Sequence, residues 1–416
     1  MSRRRVFVTG LGMVSPHGED PDAAFDRIVR GESAIRKVRS GPPEMEADVL
    51  LAAADFDPDG VIPRGRRMFM ARAGEMAVVA ARHALASAGL ASQTAEVGAA
   101  GVYLGCGLGG AETLEDAYRV YFVRKRRRGR PTTVPLVMGN GPAAHISMEL
   151  GVHGPTVTYS IACASSAVAI GEGFRALRDG YLDRALAGGA EAQLNDGSLA
   201  AWESLGALAT EHRDGPEGSS RPFDAERSGF VLGEGAAILV LETEEAMHAR
   251  GGRPYAEVLG YGAASDAHSL TEPHPDGQIR AMRAALADAR LEPGAIGHVN
   301  AHATGTLAGD RVEVMALKEV FGAHAPALAV SATKSMHGHL VGAAGALEAL
   351  LTVMALSRRL VPPTANLTHP DPACDLDFVR GVGRDLPDLR YALSNSFAFG
   401  GSNAALVFGR AGDPGE

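Results

Sequence analysis

The chain of 416 residues is poor in cysteine, poor in charge, and without an uncharged apolar run long enough to cross a bilayer. Its three cysteines, Cys106, Cys163 and Cys374, have no paired spacing. That excludes a disulfide framework and points to a reducing compartment, so a cytoplasmic protein is expected. The apolar stretch 343–356 contains Glu348 and reads as a core helix, leaving no membrane role. Residues 1–10 are basic at the start, but their apolar run is too short for a secretory leader; 6–8 read as a first strand. With 40 basic against 49 acidic side chains the formal net charge is −9. The chain as a whole therefore has no attraction for nucleic acid.

What is abundant is apolar surface, at 46%, together with 52 glycines, while charged residues make up only 21%. This is the composition of a tightly packed globular protein, and the length suits two core-forming units. Apolar runs bounded by glycine (6–8, 102–104, 156–161, 184–187, 236–241, 299–301, 329–331, 404–407) read as strands. Stretches 76–88, 167–177, 278–289, 311–320 and 342–356 read as helices, and 229–242 as a buried strand pair around a glycine turn. The pattern is α/β with layered sheets. Gly-Gly-Arg-Pro near residue 252 marks a boundary between halves 1–252 and 253–416. No internal repeat is visible in the sequence.

Cys163 lies in YSIACASSAVAIG, residues 159–171, where a strand ends and a helix of small residues begins. A thiol at the positive end of a helix dipole is expected to favour thiolate. His302, in Asn-Ala-His-Ala-Thr-Gly-Thr (300–306), ends another strand, with Thr304 and Thr306 offering hydroxyls to a polar ligand; a structural, hydrogen-bonded histidine fits equally. Lys334, His337 and His339 sit between a buried strand and the glycine-rich start of a helix. His337 and His339 could suggest a metal pair, but no third ligand stands at a metal-site spacing, so no metal is expected. Gly105–Gly110 fits G-x-G-x-x-G, yet no acidic residue follows at the end of a next strand. It reads as close backbone packing with Leu108 facing a pocket. Phe397 and Phe399 lie in a Gly/Ser/Asn loop that suits either a gate over an apolar cleft or only a packed turn. Arg124, Lys125, Arg126, Arg127, Arg128 and Arg130, with a second cluster at Arg64, Arg66 and Arg67, stand out in an acidic protein. Without interleaved aromatics they suit an acidic protein partner better than nucleic acid.

Taken together, these motifs resemble the β-ketoacyl-ACP synthases of the ketoacyl synthase II type, over nearly the whole chain. Ser220–Asp224 and Val361–Asn366 also carry the likeness. The resemblance implies a thiolase-like fold, two similar halves in a five-layered αβαβα sandwich, and a homodimer or a heterodimer with a chain-length-factor-like subunit. It implies that Cys163 carries an acyl group as a thioester and that His302 and His339 stabilise the enolate formed when malonyl-ACP decarboxylates. Lys334 would tune the site, Glu348 would partner it, and the Cys163 and Phe399 N–H groups would form an oxyanion hole. Thr304 and Thr306 would hold the phosphopantetheine of acyl carrier protein, and the arginine clusters would dock that protein; no separate cofactor is implied. Phe399 would gate an acyl pocket walled by Leu108 and, at its end, Thr133, with Asp266 in a neighbouring loop. Thr133 stands where a bulkier phenylalanine is common, which implies a roomier pocket. Ala303 and Ala398 replace glycines, and alanine resists φ > 0, so restricted loop opening is expected. A non-catalytic chain-length factor would lack Cys163. A thiolase-type CoA enzyme would use a second cysteine as base, a role that neither Cys106 nor Cys374 suits.

Overall fold

The computed structural model describes residues 3–412. Ten strands form one sheet. In the first half these are β1 (Val6–Val14), β2 (Gly101–Gly105), β3 (Thr156–Tyr159), β4 (Arg184–Glu191) and β5 (Gly235–Thr243). In the second they are β6 (Ala256–Ser265), β7 (His298–Asn300), β8 (Ala329–Ser331), β9 (Tyr391–Ala398) and β10 (Ser402–Arg410). Their order across the sheet is β8-β7-β9-β10-β6-β1-β5-β4-β2-β3. Numbered within its own half, each set of five reads 3-2-4-5-1. The pairing senses also match, parallel among the third, second and fourth strands and antiparallel onward to the fifth and first. The fold is thus a duplication, although no repeat is evident in the sequence. The halves meet where β1 pairs antiparallel with β6, Val6–Val8 against Ala256–Val258.

Helices complete five layers. Outside the first set of strands lie α1 (Arg72–Ser87) and α2 (Gly141–Leu150). Between the two sets lie α3 (Ser165–Arg178) and α6 (Ala344–Arg358), and outside the second set α4 (Pro275–Ala289) and α5 (Leu307–Phe321). A helix sandwiched between sheets must be apolar all round, and α6 buries every residue from Ala344 to Leu356. That explains a segment, Val341–Arg358, apolar enough to span a membrane but 89% buried within the protein. The sheet strands covered on both faces read as continuous apolar runs for the same reason; all nine residues of β1 are buried.

Glycines set the closest contacts. A Cβ at Gly10 or Gly12 on β1 would overlap the Ala84 and Ala80 carbonyls of α1, and one at Gly260 or Gly262 on β6 would overlap those of Ala285 and Ala281 on α4. The same Gly-x-Gly in the first strand of each half lets its outer helix lie against the backbone. This pair of Gly-x-Gly triplets is a trace of the duplication in the sequence.

Two local readings change. Residues 229–242 are not one hairpin: Leu232–Gly233 joins a small sheet with Arg36–Ser40 and Ala47–Ala52, and only Gly235–Thr243 belongs to the main sheet. A Cβ at Gly235 would crowd the Val14 carbonyl, so the chain changes sheets where it has no side chain. Helices Ala111–Tyr118 and Asp196–Ser204 were not legible, because they bury almost nothing: Leu199 is the one buried residue of the two.

Gly262→Ala tests the close approach. Overpacking of this kind should cost roughly 1–3 kcal/mol, read as a lower urea midpoint at unchanged slope. An unaltered midpoint would contradict the packing described.

Candidate active site

The last residues before α3 form a tight elbow. Ser165 Oγ accepts the Ile161 N–H at 2.8 Å and donates to the Ala162 carbonyl at 2.7 Å. Ala162 is held at φ 43°, a strained value for a residue with a Cβ. The elbow pushes Cys163 out of the strand line and toward the second half. A Cβ at Gly105 would overlap the backbone of Ser165 and Ser166, so the glycine-rich loop after β2 is there for close packing, as its sequence suggests.

Cys163 is 6% exposed. Burial pushes its thiol up to about 12, against the pull of the Lys334 charge and of the Phe399 N–H, which reaches the sulfur. Desolvation thus works against the thiolate expected at the helix end, and with the thiol pushed up to about 12 the resting group is a thiol. Its partner is His339, whose Nε2 lies 3.0 Å from Sγ.

His302 and His339 come from different loops of the second half, after β7 and after β8. Their rings stand edge to face with centroids 5.5 Å apart. Ligand atoms of Cys163, His302 and His339 all lie within 4.8 Å of one another. The third potential metal donor absent from the sequence spacing is thus Cys163, while His337 turns away to Thr333 Oγ1 and the Gly338 carbonyl. Burial, then the nearby Lys334 charge, holds both imidazoles well below their usual value. Both are neutral at physiological pH.

Lys334 fixes the tautomer of one of them. It sits in the single turn Lys334–His337 and is 1% exposed. Its Nζ donates to the His302 carbonyl at 2.6 Å and lies 3.4 Å from His302 Nδ1. It is ion-paired with Glu348 of α6, whose carboxyl burial pushes up to about 7 against the pull of the lysine. An ammonium can only donate, so Nδ1 accepts and the His302 proton resides on Nε2. Sequence reasoning missed Glu313 on α5, which takes the His302 N–H at 2.9 Å and the Ala303 N–H at 2.7 Å. An acid beside the buried Val314, Ala316 and Leu317 was the available signal. Glu313 also accounts for Ala303 at φ 21°: the bonded amide holds the turn a glycine would otherwise make.

A cavity of 310 Å³ opens onto Cys163, His302 and His339 and is lined by Thr304, Thr306, Phe399 and Asp266 among others. Thr306 also caps α5 through the Gly309 N–H. Asp266 accepts from Asn403 Nδ2 at 2.7 Å, and its N–H bonds the Gly401 carbonyl, tying its loop to the one bearing Phe399. Ala398 ends β9 and has no positive φ; Gly400 at 83° and Gly401 at 68° make the turn. In this conformation, then, the positive φ falls on the glycines and not on Ala398. Trp202 and Phe230 wall the cavity and were also missed, being single aromatics in segments without periodicity.

Two residues expected at an acyl pocket stand apart from this cavity. Leu108 is 56% exposed, and buried Glu191 accepts the Gly107 and Leu108 N–H groups. Thr133 begins the short helix Thr133–Val137 and donates to the Arg130 carbonyl. Neither lines the cavity. The basic clusters also differ. Arg64 and Arg67 pair with Asp59, Arg67 with Glu75, and Arg66 with buried Glu149, whereas Arg124, Lys125, Arg126 and Arg127 are fully displayed.

Comparison with known proteins agrees with this geometry. The family model of the β-ketoacyl synthase N-terminal domain matches residues 3–246, and that of the C-terminal domain residues 255–368. The 3-oxoacyl-[acyl-carrier-protein] synthase 2 of Staphylococcus aureus (strain COL) is 39% identical over 408 residues, covering 97% of this chain and 98% of that protein. The synthase of the same name from Synechocystis sp. is 39% identical over 411 residues, 98% of each. Among solved structures, a β-ketoacyl synthase from Burkholderia phymatum STM815 superposes with a TM-score of 0.91 at 37% identity, over 98% of this chain and 100% of that one. The ishigamide ketosynthase/chain length factor gives 0.90 at 34%, over 99% and 100%. A type II polyketide ketosynthase in complex with its acyl-carrier protein gives 0.88 at 28%, over 99% and 100%.

A resting thiol has a chemical signature. Alkylation of Cys163 by iodoacetamide, followed by intact mass, should quicken about tenfold per pH unit between about pH 7 and pH 9, because only the thiolate reacts. A plateau near neutrality would show a preformed thiolate.

Proposed function

Because the chain belongs to the β-ketoacyl synthase family, and so is an acyltransferase that joins an acyl group to a malonyl unit on acyl carrier protein with loss of CO₂, we propose how its own residues divide that work. The observation that carries the assignment is the meeting of Cys163 Sγ, His339 Nε2 at 3.0 Å and a His302 held neutral by its setting.

In the first half-reaction the Cys163 thiol attacks the carbonyl of an acyl-pantetheine thioester. A new S–C bond forms, the old one breaks, and the Cys163 proton leaves on the departing pantetheine thiol. The tetrahedral oxyanion lies against the backbone N–H groups of Cys163 and Phe399. In the second, malonyl thioester enters along Thr304 and Thr306. The bond to its carboxylate breaks, CO₂ departs, and the electron pair moves onto the thioester oxygen as an enolate. His302 and His339 donate to that oxygen. Neutral donors suit the task, since an imidazolium would protonate the enolate and end the reaction short of bond formation. The enolate carbon then attacks the acyl-Cys163 carbonyl, and collapse releases a β-ketoacyl product two carbons longer and a Cys163 thiolate, which takes up one proton per turnover.

The carrier protein docks on the displayed Arg124–Arg128 run in preference to the cluster at Arg64, Arg66 and Arg67, whose charges are already offset by carboxylates. Presence of the nucleophile and both histidines favours a catalytic subunit over a chain-length factor. The chain works as a dimer, with a second copy or a homologous subunit. Three free, buried cysteines support a cytoplasmic setting.

The two half-reactions separate by mutation. Cys163→Ala should abolish acyl loading, seen by intact mass, yet retain CO₂ release from malonyl carrier protein. His302→Ala and His339→Ala should each lower that release roughly 10²–10³-fold. Loss of CO₂ release in Cys163→Ala with full release in both histidine variants would overturn the assignment.

A further inference from the structure

Trp202 is the chain's single tryptophan, and none of the steps above calls for it. Its ring lies nearly parallel to that of Phe399, centroids 6.3 Å apart with 28° between planes. It stands edge-on to Phe230 at 5.5 Å, and Phe230 stands edge-on to His339 at 5.2 Å. A line of aromatic contacts thus runs from the mouth loop to a catalytic histidine. All four rings border the cavity that holds Cys163.

The two partners of the stack are anchored unequally. The indole Nε1–H donates to Gln193 Oε1 at 3.1 Å, and Gln193 is 1% exposed. Its side chain bonds in turn to Glu191, the carboxylate that holds the Gly107, Leu108 and Gly342 N–H groups. The start of the Trp202 helix is tied down as well, by the Gly197 N–H to Glu115 at 2.9 Å. Phe399, by contrast, precedes two glycines at positive φ, and its ring gains no hydrogen bond. Trp202 is the fixed partner and Phe399 the movable one.

We propose that Trp202 is a positioning residue that holds the Phe399 ring at rest and thereby sets which acyl chains reach Cys163. The inference deepens the functional reading above and rests on it. A chain that moves Phe399 aside breaks the ring stack. A long chain replaces the lost contact by lying against the exposed indole; a short one does not reach it. Trp202 therefore disfavours short acyl groups.

Being the only indole, Trp202 reports on itself. Its emission should change in step with appearance of the acyl-Cys163 adduct, followed by stopped flow and intact mass with butyryl and octanoyl carrier protein. The wild-type measurement needs no variant, so poor folding of a mutant cannot shelter the idea. In single-turnover loading, Trp202→Ala should shift the octanoyl-to-butyryl rate ratio toward butyryl by about three- to tenfold, the range of one aromatic pair. Trp202→Phe, which keeps a ring and loses the N–H, should fall between. Unchanged emission on acylation, or the same rate ratio in all three proteins, overturns the inference while leaving the functional reading intact. Failure of wild-type Cys163 to load either chain overturns that reading and this inference with it.

Discussion

The buried pair of Lys334 and Glu348 is the interaction on which the site depends. Lys334 is carried by the turn after β8 and Glu348 by the central helix α6, and neither is more than 1% exposed. Removing one partner of such a pair leaves an uncompensated charge in the interior, at a cost of about 3–5 kcal/mol. The pair therefore locks a turn, a helix and, through the bond from Nζ to the His302 carbonyl, the loop after β7 into one arrangement. It also does chemical work. A permanent donor at His302 Nδ1 fixes where the imidazole proton sits, and a positive charge beside two desolvated imidazoles keeps both from gaining another.

The duplication explains why these groups can meet at all. The nucleophile belongs to the elbow after the third strand of the first half, and Lys334 and His339 to the turn after the third strand of the second. The helices that follow those turns, α3 and α6, are the paired helices of the middle layer. Equivalent turns of two similar halves are thus brought face to face, one fitted with a thiol and the other with donors. His302 arrives from the adjacent parallel strand. A layer of two apolar helices between sheets is dry, and burial is the first cause of the raised Cys163 thiol and of the lowered His302 and His339 imidazoles.

Much of this was legible in the sequence, and the failures have physical reasons. Motifs at strand ends named Cys163, His302, Lys334 and His339, because chemistry there needs particular residue types. Strand and helix cores were legible because burial on both faces makes uniform apolar runs. For Cys163, a local rule about helix ends does not count the desolvation created by residues more than a hundred positions away. Trp202 and Glu313 went unnoticed because their roles arise only when separate segments pack together. The duplication left two Gly-x-Gly pairs as its trace, too short to stand out among 52 glycines.

The central claim is that His302 and His339 are neutral donors, with the His302 proton kept on Nε2 by Lys334. Nitrogen-15 spectra of histidine-labelled protein, assigned by single His→Gln variants and followed from about pH 5.5 to pH 8, test it most directly. The account predicts two imidazoles that stay neutral throughout, His302 as the Nε2–H tautomer. An imidazolium signal titrating near pH 6.5 at either residue, or His302 protonated on Nδ1, would contradict it.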